Sequence, residues 1–163
     1  MGKSNIASII FLVLLSLLQV VTPFRHFQAL IPNGASVIDP CSGRVAWSGV
    51  GHQTKEGRTD RNPFGQDFSA HGKVWSKELC QLDSDGDGLT NGEELGDPDC
   101  LWTPGEAAKG PATSHPGICE PLSSPRCDRK NFWLDCHKVH NMEQAVCNSI
   151  NDQCKLVVSL YLS

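Results

Sequence analysis

The chain has 163 residues, with 14 Lys and Arg against 18 Asp and Glu, and a formal net charge of −4. This acidic balance argues against a nucleic-acid-binding protein, which normally carries a basic patch. No uninterrupted apolar run reaches the length of about 18 residues that a membrane span requires. The 8 cysteines, 15 glycines and 10 prolines indicate a loop-rich, disulfide-stapled secreted protein rather than a cytosolic enzyme.

Residues 1–22 have the pattern of a secretory signal peptide. One positive side chain, Lys3, precedes an almost wholly apolar run over residues 6–21, which matches the charged and hydrophobic regions of such a signal. No Ala-x-Ala triplet marks the cleavage site, and we expect cleavage between Thr22 and Phe24. An uncleaved membrane anchor is the alternative, but the run is short for a span. The mature protein is therefore expected to be extracellular, with no membrane segment.

The region after the signal is predicted to be irregular up to residue 62, with short β-like pieces such as residues 45–50. A helix is expected to begin at Asn62 and Pro63, because Asn is a favoured N-cap and Pro is favoured at the first helical position. Large apolar side chains follow at helical spacing. This stripe is expected to be one helix face and much of the core: Phe64, Phe68, Trp75, Leu79 and Leu82.

An acidic loop follows the predicted helix and carries the clearest motif in the chain. From Asp83 to Glu94 the sequence matches D-x-D-x-D-G-x5-E in every defined position, the pattern of an EF-hand calcium loop. Ca²⁺ takes six to eight oxygen ligands, and in such loops alternate positions supply them. The alternative is a solvated acidic turn, whose carboxylates would repel one another without a cation. We therefore expect one structural Ca²⁺, with the ligands Asp83, Asp85, Asp87, Leu89 (backbone carbonyl), Asn91 and Glu94.

The loop resembles only the first half of an EF-hand, or a thrombospondin type 3 repeat. Gly96 and Asp97-Pro98 should end any exit helix after about one turn. Without a long exit helix the opening motion of a calcium sensor is hard to build. The predicted fold class is thus small and disulfide-rich, mostly irregular, with short helices, a few short β pieces and one helix before the calcium loop.

The C-terminal region, residues 125–163, is expected to be a separate tail of unknown role. It holds four cysteines, which allow three pairings that the sequence cannot distinguish. The alternative is a zinc site on Cys136, His137 and His140, with Cys127 and Cys147 nearby, but an oxidising compartment favours disulfides. No motif of a nucleophilic, metallohydrolase or phosphate-binding site is present, so no enzyme is predicted. The tail cysteines are Cys127, Cys136, Cys147 and Cys154.

The middle of the chain resembles the temptin family, secreted Cys-rich water-borne protein pheromones of marine molluscs. The specific signal is the order of three segments: RNPFGQDF at 61–68, the acidic loop with its extension to residue 105, and SHPGIC at 114–119. Shorter pieces at 31–34 and 47–52 also fit. The resemblance spans about residues 24–120, and we define a module at residues 23–124 on this basis.

The resemblance implies two disulfides, Cys80 with Cys100 and Cys41 with Cys119. It also implies a water-borne attractant that acts by recognition, with an extracellular receptor or other secreted attractant proteins as partners. A recognition surface is expected around residues 47–52 and 102–105, unless the tryptophans there are buried. The alternative function is a structural calcium-binding module of extracellular matrix or of copper monooxygenase assemblies. In that case His52 and His71 would be candidates for a copper site. The alternative is that both are ordinary surface or packing residues.

Overall fold

The computed structural model describes residues 23–44, 46–57 and 59–137. This part of the chain contains four short helices, α1 (Pro23–Gln28), α2 (Pro63–Ala70), α3 (Lys77–Gln81) and α4 (Asn91–Glu94). Its β structure is limited to two isolated antiparallel bridges, which pair Ile38 with Ala46 and His52 with Arg61. The prediction of a small, mostly irregular, disulfide-rich fold with short helices is confirmed, whereas the expected β pieces are reduced to these single bridges.

Several sequence predictions fall outside the described residues. These are the expected signal peptide at residues 1–22 and the tail residues His140, Cys147 and Cys154. None of the helices that the structure describes is long and apolar enough to cross a membrane.

Helix α2 begins as the Asn-Pro pair predicted. The Asn62 side chain accepts a hydrogen bond from the Gly65 N–H at 2.9 Å. The prediction of one continuous helical stripe is wrong, however, because Gly72 and Lys73 adopt left-handed backbone with φ of 73° and 60°. Gly adopts this conformation without steric cost, and two such residues in succession cannot continue a right-handed helix. The chain therefore turns between α2 and α3.

The apolar stripe still supplies much of the core, although two helices share it. The Phe64 and Phe68 rings stack with centroids 6.0 Å apart, and Leu79 from α3 is fully buried. Trp75, in the turn, is half-buried, and Leu82 remains 37% exposed. Irregular segments complete the cluster, which consists of Ile31, Val37, Val50, Phe64, Phe68, Leu79 and Leu95.

Asn62 joins α2 to the neighbouring loop, because its fully buried side chain makes three hydrogen bonds. Besides capping α2, its Nδ2 donates to the carbonyls of Val50 at 2.8 Å and His52 at 3.1 Å. Loss of an N-cap costs about 1 kcal/mol, and a buried carbonyl left unsatisfied costs about 1–3 kcal/mol. Asn62→Ala is therefore expected to lower the free energy of unfolding by about 2–4 kcal/mol, measured by urea denaturation.

The matched control for this variant is Ser76→Ala. Ser76 caps α3 by accepting from the Leu79 N–H at 3.2 Å, and its loss should cost only about 1 kcal/mol. Equal losses in the two variants would show that the bridging role of Asn62 has no energetic weight.

The six described cysteines form three disulfides, Cys41–Cys136, Cys80–Cys100 and Cys119–Cys127. The second agrees with a pair that the resemblance implied. The implied Cys41–Cys119 pair is wrong, because the chain after residue 119 turns back on itself. Two turn hydrogen bonds, to the carbonyls of Pro121 and Ser124, bring the Cys119 and Cys127 Cα atoms within 5.3 Å.

The disulfides connect the predicted C-terminal tail to the rest of the described chain. The zinc alternative is excluded for Cys127 and Cys136, because both sulfurs are in disulfides. The expected division into module and tail bridges is also wrong, since two of the three bridges cross the boundary predicted at residue 124. Two disulfides therefore link residues 125–136 to the region that precedes them.

Trp47 is a core residue, which is the alternative left open for the tryptophans of the expected recognition surface. Its side chain is fully buried and packs edge-to-face on His115 with ring centroids 5.4 Å apart. The indole N–H donates to the Gly49 carbonyl at 3.2 Å. Trp102 is half-buried and its indole N–H donates to the Glu106 carbonyl at 2.8 Å.

Candidate metal site in the acidic loop

Two short helices hold the ends of the acidic loop. Helix α3 leads in, and α4 follows with a capping box in which Thr90 and Glu93 bond reciprocally. Gly88 has a φ of 107°, which a residue with a Cβ adopts only with strain. Helix α4 ends at Glu94, so the predicted stop after about one turn is confirmed. Local signals thus position both ends of the loop.

Backbone N–H groups orient the three aspartates of the loop. Asp83 accepts from the N–H groups of Gly86 at 2.7 Å and Gly88 at 3.0 Å. Asp85 accepts from the N–H of Asp87 at 3.1 Å, and Asp87 from that of Leu89 at 2.8 Å. One carboxylate oxygen from each aspartate lies within 4.8 Å of the other two. The loop therefore gathers three negative groups around one point.

Two of the predicted ligands are buried carboxylates. Glu94 is fully buried and Asp85 is 5% exposed. The Ser114 hydroxyl donates to Glu94 Oε1 at 2.9 Å, while Glu94 Oε2, Asp85 Oδ2 and Asn91 Oδ1 are buried without a hydrogen-bond partner. Buried acceptors of this kind are costly to leave unsatisfied. All three belong to the predicted ligand set, so the residues present fit a cation with oxygen ligands.

Burial and the closeness of the carboxylates raise the pKa values of two side chains in the loop. Burial, reinforced by the charge on Asp85, raises the pKa of Glu94 to about 9. Burial, together with the charge on Asp87, raises the pKa of Asp85 to about 7. In both cases the protein alone disfavours the ionised form. A divalent cation would reverse that preference by supplying the missing positive charge.

The raised pKa values predict an unusual pH dependence when divalent cations are removed by a chelator. Ordinary Asp and Glu side chains titrate near pH 4, so between that value and their raised pKa values Asp85 and Glu94 hold more protons in the folded state than in the unfolded state. Stability falls with rising pH wherever this is true. The contribution is fully present below about pH 4 and is lost progressively through the pKa of Asp85, about 7, and of Glu94, about 9.

The measurement is the melting temperature as a function of pH in the presence of a chelator. We expect a decline across the neutral range, and a shallower decline in Glu94→Gln. A melting temperature that stays level or rises between about pH 7 and pH 9 would contradict the assignment, because ordinarily paired carboxylates change stability only below about pH 5.

The remaining predicted ligands enter the loop in different ways. The Asn91 amide nitrogen donates to the Leu79 carbonyl at 2.7 Å and the Ser84 hydroxyl at 2.9 Å, which fixes its side chain. Leu89 has an exposed side chain, so only its backbone is suited to a ligand role.

The C-terminal segment contributes residues that sequence reasoning missed. The Glu120 N–H donates to Asp87 Oδ2 at 3.3 Å, and burial raises the pKa of the Glu120 carboxyl. Arg126 Nη1 donates to the Asp87 carbonyl at 2.6 Å, and Lys130 Nζ donates to the Gly86 carbonyl. These residues lie 33 to 44 positions from their partners, so no local spacing could have revealed them.

Asp97 organises the segment that leaves the loop. This buried carboxylate accepts from the N–H groups of Leu101 and Trp102 and from the Trp75 indole at 2.8 Å. The Cys80–Cys100 bridge closes the same region. The start of the 101–106 segment is thus held by a disulfide and by a buried carboxylate.

The histidines considered for copper do not join a metal cluster in the described part of the chain. His52 Nδ1 bonds with the Thr59 carbonyl and His71 Nδ1 with the Asp67 carbonyl, each at 2.8 Å. Among the described residues, the group of side chains spaced to hold a metal consists of Asp83, Asp85 and Asp87.

The family model described as Temptin C-terminal matches residues 21–118. Temptin from Aplysia californica is 47% identical over 112 residues, which cover 68% of this chain and 90% of that protein. No solved structure matches. The chain therefore belongs to the temptin family.

Proposed function

We propose that this protein is a secreted, water-borne attractant of the temptin type, which acts as a recognised ligand rather than as a catalyst. The observation that carries the proposal is the 47% identity that extends over 90% of Temptin. A match of that extent includes nearly the whole relative rather than one shared motif. The three disulfides support an extracellular location, because such bridges persist in oxidising compartments.

We further propose that one structural Ca²⁺ stabilises the protein. The side chains of Asp83, Asp85, Asp87, Asn91 and Glu94 would hold it, with the backbone carbonyl of Leu89. The support is the set of three buried, unpartnered oxygens on Asp85, Asn91 and Glu94, together with the gathered aspartate oxygens. The ion would neutralise these carboxylates and brace the loop.

The 101–106 segment is the best-supported recognition surface. Leu101 is 77% exposed, yet its backbone is held by Asp97 at 2.9 Å and it directly follows Cys100. A partner that binds here would meet an apolar side chain on a pre-ordered backbone. Pre-ordering favours affinity because little conformational entropy remains to be lost on binding.

The test is an attraction assay in water with animals of the source species. Three samples are compared: the native protein, the reduced and alkylated protein, and Leu101→Ser. Native protein is expected to attract, the reduced protein to lose activity, and Leu101→Ser to be weaker. Val74→Ser is the matched control, because Val74 is also an exposed apolar residue, at 54%, but lies outside the proposed surface.

Two results would overturn the attractant proposal. One is the absence of attraction by native protein at any concentration tested. The other is recovery of the protein in insoluble extracellular matrix rather than in secreted fluid, which would favour the structural-module alternative. Attraction unchanged in Leu101→Ser would reject the surface while leaving the function intact.

A further inference from the structure

A cleft separate from the acidic loop lies between α1, the irregular segment at 48–52 and α2. Its volume is about 260 Å³, close to the lower end of the roughly 300–1,000 Å³ typical of small-molecule sites. None of the proposed calcium ligands lines it. Its apolar walls are Phe27, Ile31, Val50, Phe64 and Phe68.

The cleft is a pre-formed part of the fold. Its floor is built where the backbones of Gly51 and Gly65 meet, so closely that a Cβ on Gly65 would lie 1.9 Å from the Gly51 carbonyl oxygen. On one wall the Phe27 and Phe68 rings meet edge-to-face with centroids 6.2 Å apart. A cleft with a fixed floor and aromatic walls can accept a ligand without first being ordered.

The charge of the cleft is opposite to that of the whole chain. Its described lining includes Arg61, Lys73 and His52, and none of its described lining residues carries a carboxylate. The chain as a whole has a formal net charge of −4. Lys73 Nζ lies 5.4 Å from the centroid of the Phe27 ring, which places a cation directly beside the apolar wall.

Lys73 is held in this place by the same turn that separates α2 from α3. Its N–H donates to the Phe68 carbonyl at 2.8 Å, and its left-handed φ of 60° directs the chain around the end of α2. Arg61 is fixed from the other side by the antiparallel bridge to His52. Both basic residues are therefore anchored through their backbones, while their side chains stay exposed.

We propose that this cleft binds a small amphipathic carboxylate, with its hydrocarbon part against the phenylalanines and its carboxylate beside Arg61 and Lys73. Burial of the tail supplies affinity, and charge-assisted hydrogen bonds to the carboxylate supply selectivity. This binding would require neither the attractant role nor the calcium ion. The protein would thus be a carrier of a small organic acid.

The test uses octanoate, octanol and octylammonium as probes, which share one hydrocarbon chain and differ in the head group. Binding to the calcium-loaded, disulfide-bonded mature protein is measured by titration calorimetry. We expect saturable binding of octanoate, about tenfold weaker binding of octanol, and still weaker binding of octylammonium. The preference for octanoate should fall with added salt, because the cations are exposed.

Two charge variants locate the head-group site. Arg61→Gln with Lys73→Gln is expected to abolish the preference for octanoate and to leave octanol binding unchanged. Lys77→Gln with Arg129→Gln removes the same number of positive charges from exposed positions outside the cleft lining. This control should keep the full preference.

Nuclear magnetic resonance of the unaltered protein tests the binding site without depending on the folding of a variant. Octanoate added to the unaltered protein should shift the amide signals of Gly49, Gly51 and Gly65, which line the cleft, and spare those of the 83–94 loop. Ser69→Trp, which places a large side chain at the cleft wall, should block binding. Absence of saturable binding, equal affinity for octanoate and octanol, or shifts confined to other residues would each overturn the proposal.

Discussion

Glu94→Gln is expected to abolish most of the stability that the protein gains from calcium. Extracellular calcium modules bind with dissociation constants of about 10⁻⁴–10⁻³ M, and calcium at 100 times that constant should stabilise the native protein by about 2.7 kcal/mol. Glu94 is fully buried and offers Oε2, which has no hydrogen-bond partner. Glutamine removes the negative charge from a group placed to bind with both oxygens, so the ion loses its most buried carboxylate ligand.

Without calcium, the same substitution should not lower the stability of the protein. Because burial raises the pKa of Glu94 to about 9, the ion-free protein gains nothing from the carboxylate near neutral pH. Glu94→Gln is therefore expected to be at least as stable as the unaltered protein in chelator, and less stable in calcium. A general folding defect would instead lower stability under both conditions.

The measurement is urea denaturation with excess calcium and with chelator. Glu93→Gln is the matched control, since Glu93 is exposed and its carboxylate serves the capping box with Thr90 rather than the loop interior. Gln also serves this position of a capping box, so the variant should change stability little in both conditions and keep the gain from calcium. Stability of the native protein that is indifferent to chelator would refute the calcium site.

Removal of the Cys41–Cys136 bridge is expected to cost more stability than removal of either other bridge. The two cysteines are 95 positions apart, and in the chain-entropy model a bridge that closes such a loop is worth about 4.7 kcal/mol. The Cys119–Cys127 bridge spans 8 positions, for which the same model gives about 2.5 kcal/mol. Double alanine variants, Cys41→Ala with Cys136→Ala and Cys119→Ala with Cys127→Ala, separate the two effects in urea denaturation.

A shortened chain that ends at Ser124 extends this test. It lacks Cys127 and Cys136, and with them the partners of Cys119 and Cys41. It also lacks Arg126 and Lys130, which bond to loop carbonyls. We expect it to be destabilised by at least as much as the Cys41/Cys136 double variant. Unchanged stability of the shortened chain, with two bridges formed, would restore the self-sufficient module that the sequence suggested.

Features encoded within a few neighbouring residues were predictable from the sequence. The Asn62 cap, the one-turn helix after the loop and the Gly88 turn all depend on contacts over five positions or fewer. Family membership was predictable for a similar reason, since it rests on the order of short segments. Ligand spacing in the acidic loop is local too, although the ion itself stays a prediction.

Only the tertiary structure decided which distant residues meet. Spacing cannot determine whether Cys41 reaches Cys119 or Cys136, because that choice depends on the turn after residue 119. Burial of Trp47 against His115 and the contact of Arg126 with the acidic loop have the same origin. In a chain with few regular elements, long-range contacts are made by irregular segments, whose path is set by packing, disulfides and buried hydrogen bonds rather than by periodic sequence patterns.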